Sequence, residues 1–263
     1  MSATQCSTWR TLRDEVELLA QEEAILASYL QATVINHSSL EASLSYLLAN
    51  KLSSPDLPAM SLREIVAKAL FSAPEIQLAV RSDLAAAVDR DPAVQGFAAP
   101  FLNHKGFHAL QAHRVAHWYW RKGRLALALY LQSSISEAFS VDIHPAAVIG
   151  RGVFMDHATA VVIGETAVVG DDVSILQGVT LGGTGKDTGD RHPKVGRGVL
   201  LSAGAKVLGN IRLGACSKIG AGSVVLADVP PYTTVAGVPA RVVGQIVDDS
   251  PALRMNQQLE PSG

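Results

Sequence analysis

Asp142, Asp156, His157, Arg191 and His192 have the side chains needed for acid–base chemistry on a small charged molecule. A histidine in a cleft beside a carboxylate is the usual general base, and the carboxylate fixes its tautomer and orientation. Asp142 precedes His157 by about one turn of a three-sided coil, so stacking is expected to bring the pair together. Two other constellations carry less. His104/His108 and His113/His117 are i,i+4 pairs on one expected helix, a spacing that can hold zinc. No H-E-x-x-H pattern occurs and no adjacent carboxylate or cysteine completes a site, so they read as packing or surface histidines and no metal is expected. Gly182-Gly-Thr-Gly-Lys186 is not a phosphate loop, because Asp187 follows the lysine and Thr180 stands where the first glycine belongs. Its glycines still let backbone N–H groups come close to a ligand.

The elements that must position these residues follow a period of six. Ile143, Ile149 and Met155 are in phase, then Ile163, Val169, Ile175 and Leu181, then Val195, Leu201, Val207, Leu213, Ile219 and Val225. Glycine follows seven of them, and a small or β-branched residue such as Ala147, Val173 or Ala205 stands four places on. This is the pattern of a parallel β-helix, in which each hexad gives a short strand and a turn and stacked coils share one core. The phase breaks twice, around Asp156–Thr159 and over the polar segment 182–194. Insertions in a solenoid become loops on one face, often the binding face, and both breaks carry histidine and charge.

Residues 1–140 read as helices. Leu12, Val16, Leu19, Leu26 and Leu30 recur at helical spacing. Ser38-Ser-Leu-Glu41 and Ser61-Leu-Arg-Glu64 are capping-box patterns, and Pro74 suits a first helical turn. A long helix is expected over 104–122 and another to about Ser140. After Val225, Pro230 and Pro231 stop the ladder, and Ala236-Gly-Val-Pro-Ala-Arg241 reads as a closing turn and strand. The polar stretch 248–263 is expected to be mobile.

Composition narrows the classes of function. A net charge of -2 leaves no footprint for nucleic acid. The two cysteines, Cys6 and Cys216, suggest no disulfide framework and fit a reducing cytosol. Glutamates at 15, 17, 22 and 23 argue against a signal peptide, and no apolar run is long enough to cross a bilayer.

Several stretches together resemble the bacterial serine acetyltransferases: Ala49-Asn-Lys-Leu-Ser-Ser-Pro55, Arg90-Asp-Pro-Ala-Val94, Gly106-Phe-His-Ala-Leu-Gln111, Val141-Asp-Ile-His-Pro-Ala146, Asp156-His-Ala-Thr159, Leu181–Lys186, Asp190-Arg-His-Pro-Lys194 and Ala236–Arg241. The hexad repeat and the A-G-V-P-A-R end are shared by many acyltransferases; R-D-P-A and D-R-H-P-K are more specific. The resemblance implies an α+β chain: an all-helical domain over 1–140, a left-handed parallel β-helix over 141–247 with an extended loop at 182–194, and a flexible tail over 248–263. It implies acetyl transfer from acetyl-CoA to L-serine in the cytoplasm, with L-cysteine as feedback inhibitor. By that likeness His157 is the base and Asp142 orients it. Asp91 and Asp156 meet the ammonium and hydroxyl side of the amino acid, and Arg191 and His192 its carboxylate. Backbone around Gly183, Ala203 and Ala221 faces the pantetheine, and Lys218 the phosphates of CoA. The family assembles as trimers or dimers of trimers. Members commonly end in Ile, which enters the active site of O-acetylserine sulfhydrylase; this sequence ends Leu259-Glu-Pro-Ser-Gly263, so weak or absent binding to that enzyme is expected. Competing readings are an acetyltransferase for a sugar or xenobiotic, and a γ-type carbonic anhydrase. The latter needs a close histidine pair within the coils, and His144, His157 and His192 are too dispersed.

Overall fold

The computed structural model describes residues 3–185, 188–246 and 250–259. Helices come first: α1 (Ala3–Glu22), α2 (Ala27–Leu30), α3 (Leu40–Leu52), α4 (Ala59–Ser72), α5 (Pro74–Arg90), α6 (Ala98–Asn103), α7 (Lys105–Arg121) and α8 (Leu125–Phe139). Pro74 takes the first turn of α5, where its missing N–H costs nothing. Neither expected capping box forms. Ser39, not Ser38, caps α3 by accepting from the Ala42 N–H, and Glu41 turns inward to pair with Arg81 at 2.6 Å. Helix α4 already starts at Ala59 behind Pro58, which places Ser61 inside its first turn.

From Val141 the chain winds as a left-handed β-helix with three faces. Face A stacks β1 (Val141–Ile143), β4 (Val161–Ile163), β7 (Thr180–Gly182), β10 (Lys206–Leu208) and β13 (Val224–Val225). Face B stacks β2 (Val148–Ile149), β5 (Val168–Val169), β8 (Lys194–Val195) and β11 (Arg212–Leu213). Face C stacks β3 (Phe154–Met155), β6 (Ser174–Ile175), β9 (Leu200–Leu201) and β12 (Lys218–Ile219), closed by the hairpin of β14 (Thr233–Gly237) and β15 (Ala240–Gln245). The repeat residues form the inner ladders: Ile143, Ile163, Leu181, Val207 and Val225 on face A, Ile149, Val169, Val195 and Leu213 on B, Met155, Ile175, Leu201 and Ile219 on C. One continuous buried cluster joins these ladders to the helices.

Two buried arginines fasten the helices to the coil. Arg114 of α7 pairs with Asp83 of α5 at 2.7 Å and donates to the carbonyls of Ile149 and Gly150, while Asp83 accepts from the Val153 N–H. Arg90, the last residue of α5, donates to Ser174 Oγ at 3.0 Å. The stretch expected to be mobile is instead seated from Ser250 to Leu259. Helix α9 (Pro251–Arg254) buries Ala252, whose carbonyl accepts from Ser174 Oγ, and Ser250 Oγ donates to the Gly198 carbonyl. Short apolar residues within a polar segment are enough to dock it on face C. The end of the expected tail, 260–263, and Lys186 lie outside the described residues. Among the described residues no helix is long and apolar enough to cross a membrane.

Candidate active site

The candidate residues gather at two different corners of the coil. The first corner lies between faces C and A. There two extra residues lengthen the first turn: Val141 stacks on Val161, whereas on the next turn Val162 stacks on Thr180. The surplus forms a tight loop in which His157, Ala158 and Ala160 take left-handed backbone with φ of 56°, 61° and 61°. The His157 side chain points outward, 71 % exposed, with Nε2 3.7 Å from Asp156 Oδ1. Asp91, just past α5, lines a cavity of about 420 Å³ together with Asp156, Arg90 and the tail residues Leu253, Met255 and Gln257. Burial raises the Asp156 carboxyl; the His157 imidazole opposes that and the Asp91 charge adds to it. Asp91, Asp156 and His157 are therefore brought together.

The second corner lies between faces A and B. His192 is buried on bare backbone at Gly164, where a Cβ would stand 2.1 Å from its ring. Its Nδ1 accepts from the Thr166 N–H at 3.2 Å, which leaves the ring proton of the neutral form on Nε2. Burial first, then the Arg191 charge, lowers the His192 pKa and favours that neutral form. Arg191 Nη2 meets Glu165 Oε2 at 2.6 Å, and this hydrogen bond holds the Glu165 carboxyl below its ordinary range.

The expected pairing of Asp142 with His157 does not form within one protomer. A full turn of the coil is longer than the stretch of chain between them. Asp142 therefore stacks on Val162, in the middle of face A and away from the His157 corner. Asp142 Oδ1 accepts instead from Gln132 Nε2 of α8 at 2.7 Å.

The residues expected to meet CoA divide in the same way. Ala203 and Ala221 follow face C strands and stack at the His157 corner: Gly178 N–H donates to the Thr159 carbonyl, Gly204 N–H to Gln177, and Gly222 N–H to Ala203. They make a ridge that runs along the coil away from His157. Gly183 follows β7 and sits beside Arg191 at the other corner. Lys218 lies outward on face C, where its Nζ donates to the tail carbonyls of Gln258 at 2.5 Å and Asn256 at 3.3 Å.

The helix histidines are packing residues. His108 Nε2 meets the Phe101 carbonyl and His117 Nδ1 the Pro145 carbonyl; burial lowers the His108 pKa to about 3. Among the described residues no group of three or more His, Cys, Asp or Glu could hold a metal ion.

The family profile for the N-terminal region of serine acetyltransferases matches residues 8–112. A serine acetyltransferase of Salmonella typhimurium is 56 % identical over 251 residues, covering 95 % of this chain and 92 % of its own. The chain belongs to the serine acetyltransferase family. A serine acetyltransferase solved in complex with cysteine superposes with a TM-score of 0.95 at 55 % identity, covering 97 % of this chain and 99 % of its own. The enzyme of Brucella abortus strain S19, solved in complex with coenzyme A, gives a TM-score of 0.90 at 52 % identity, covering 91 % and 96 %.

Beyond the expected residues, this serine acetyltransferase fold brings Glu165, Thr166 and His144 to the second corner, and Gln132 to Asp142 on face A. Thr166 Oγ1 accepts from the N–H groups of Arg191 and His192 at 3.0 Å each, and so fixes both. The signal available for Glu165 and Thr166 was their position: they directly follow Gly164, opposite the interruption that carries Arg191 and His192.

Proposed function

We propose that this chain transfers the acetyl group of acetyl-CoA to the hydroxyl of L-serine, giving O-acetyl-L-serine and CoA on the cytoplasmic route to cysteine. The observation that carries the reading is 56 % identity to a serine acetyltransferase over 95 % of the chain, with a base and two carboxylates at one corner. His157 Nε2 takes the serine hydroxyl proton while the oxygen attacks the thioester carbon. The tetrahedral intermediate collapses, the C–S bond breaks, and the proton leaves on the thiol of CoA. Asp91 and Asp156 face the ammonium of serine. Nε2–H of His192 and the Arg191 guanidinium face its carboxylate.

Those two sets stand at different corners of one coil, so the reading needs a threefold assembly. Docked around an axis, the first corner of one protomer meets the second corner of the next, which also carries Asp142 toward the neighbouring imidazole. The Ala203–Ala221 ridge and the Gly183 loop then flank one groove for the pantetheine. Lys218 reaches the CoA phosphates once it releases the tail carbonyls that it now holds. The cysteine and coenzyme A complexes of relatives support these ligands. L-cysteine differs from serine only in thiol for hydroxyl, so the same charged groups serve it as a feedback inhibitor.

Release of free CoA thiol from acetyl-CoA tests this. Thiol should appear with L-serine, should not appear with glucosamine or chloramphenicol, and should be suppressed by L-cysteine in competition with serine. Equal rates without serine would end the assignment.

A further inference from the structure

We infer that the first turn of α7 positions the base, with Lys105 and Gly106 acting through the loop that carries His157. This rests on the reading of His157 as the base. Left-handed backbone at His157, Ala158 and Ala160 is conformation that non-glycine residues hold only when their surroundings over-determine it. The imidazole does not supply that hold, since it is mostly exposed and 3.7 Å from its nearest carboxylate.

The coil supplies part of it. Ala160 N–H donates to the Ser140 carbonyl and Gly178 N–H to the Thr159 carbonyl, each at 2.8 Å. Helix α7 supplies the rest, from both sides of His157. Gly106 presses bare backbone on the loop: a Cβ there would stand 2.2 Å from the Met155 carbonyl oxygen and 3.0 Å from the Ala158 Cβ. Lys105 Nζ donates to Thr159 Oγ1 at 2.5 Å. Among the described residues Lys105 makes no ion pair, and the Thr159 hydroxyl is the partner its ammonium meets. The helix does not yield, because Arg114, further along, ties it to the carbonyls of Ile149 and Gly150. Lys105 and Thr159 thus fix where His157 stands relative to the serine hydroxyl, without touching substrate.

The test is steady-state kinetics of the full chain carrying Lys105→Met, Thr159→Val, both together, and the conservative Lys105→Arg and Thr159→Ser, beside His157→Ala. Circular dichroism and Tm report folding. Misplacing the base should lower kcat about tenfold or more in Lys105→Met and Thr159→Val. KM for serine and acetyl-CoA should stay within about twofold, since uniform binding is untouched. The double variant should be no slower than the slower single, because one bond is lost once. The conservative variants should recover most of kcat. His157→Ala should lose about a hundred- to ten-thousand-fold. Normal kcat in folded Lys105→Met and Thr159→Val while His157→Ala collapses would overturn the positioning role and leave the base intact. Additive losses in the double variant would overturn the shared bond. Normal turnover by His157→Ala would remove the base, and this inference with it.

Discussion

Gly164 shows how closely one residue constrains the corner proposed to hold the serine carboxylate. The His192 ring lies against it, and a single methyl would stand 2.1 Å from Cδ2 and Nε2. Thr166 holds the other side of the ring, so the imidazole cannot shift without losing that bond. Gly164→Ala should therefore raise KM for serine about tenfold or more, as expected for a charge-assisted hydrogen bond of about 1.5–3 kcal/mol. The coil should survive, and circular dichroism would report that. An unchanged KM would remove His192 from the carboxylate site. Glu165 and Thr166 show why sequence reading stopped short at this scale. They sit in an unbroken hexad, where polar corner residues are ordinary, and only the folded chain reveals that Arg191 and His192, more than a turn later, rest on them. Asp142 stands apart from His157 in one protomer for another reason: a turn of the coil spans three hexads, so Asp142 stacks on Val162, beyond His157.

At the scale of elements, α7 carries histidines that the reaction does not use but stability does. His108 is fully buried with a pKa near 3, against an ordinary 6.5, because burial penalises its charge. Its folded pKa lies below its unfolded value. Between those values the unfolded chain binds the extra proton, so stability rises with pH there and is lost as pH falls. Each unit is about 1.4 kcal/mol, so falling from pH 6.5 to pH 5 should cost about 2 kcal/mol from this residue. Buried His113, also lowered well below its ordinary value, adds in the same direction. Urea midpoints at pH 7 and pH 5 should differ accordingly, and His108→Gln should narrow the gap; a flat profile would refute it. The strands were legible for a simple reason: each repeat residue points inward and meets its counterpart one turn on. The capping boxes were not, because Pro58 starts α4 earlier and Arg81 claims Glu41.

For the whole molecule, the proposed reading makes assembly part of the chemistry, because in the proposed threefold ring each site is built from two different chains. Variants His157→Ala and His192→Ala should each be nearly inactive alone. When the two are unfolded together and refolded as a mixture, random assembly should restore about a quarter of the sites. Activity that stays at the level of the separate variants would mean that one chain holds a complete site.

The nearest-neighbour stacking of the coil has a consequence in time. Each turn touches only the turns above and below, so opening begins at a free end and spreads. The first turn is covered by the helices through Arg114 and Asp83, whereas β13 has one strand neighbour on its face. Amide hydrogens should exchange slowest in β1 and β4 and fastest toward β13, a gradient that mass spectrometry can read. Uniform protection would contradict it. His157, the proposed base, then belongs to the slowest-breathing turn, while the ridge proposed to receive the long co-substrate reaches into turns that should open often enough to admit and release it.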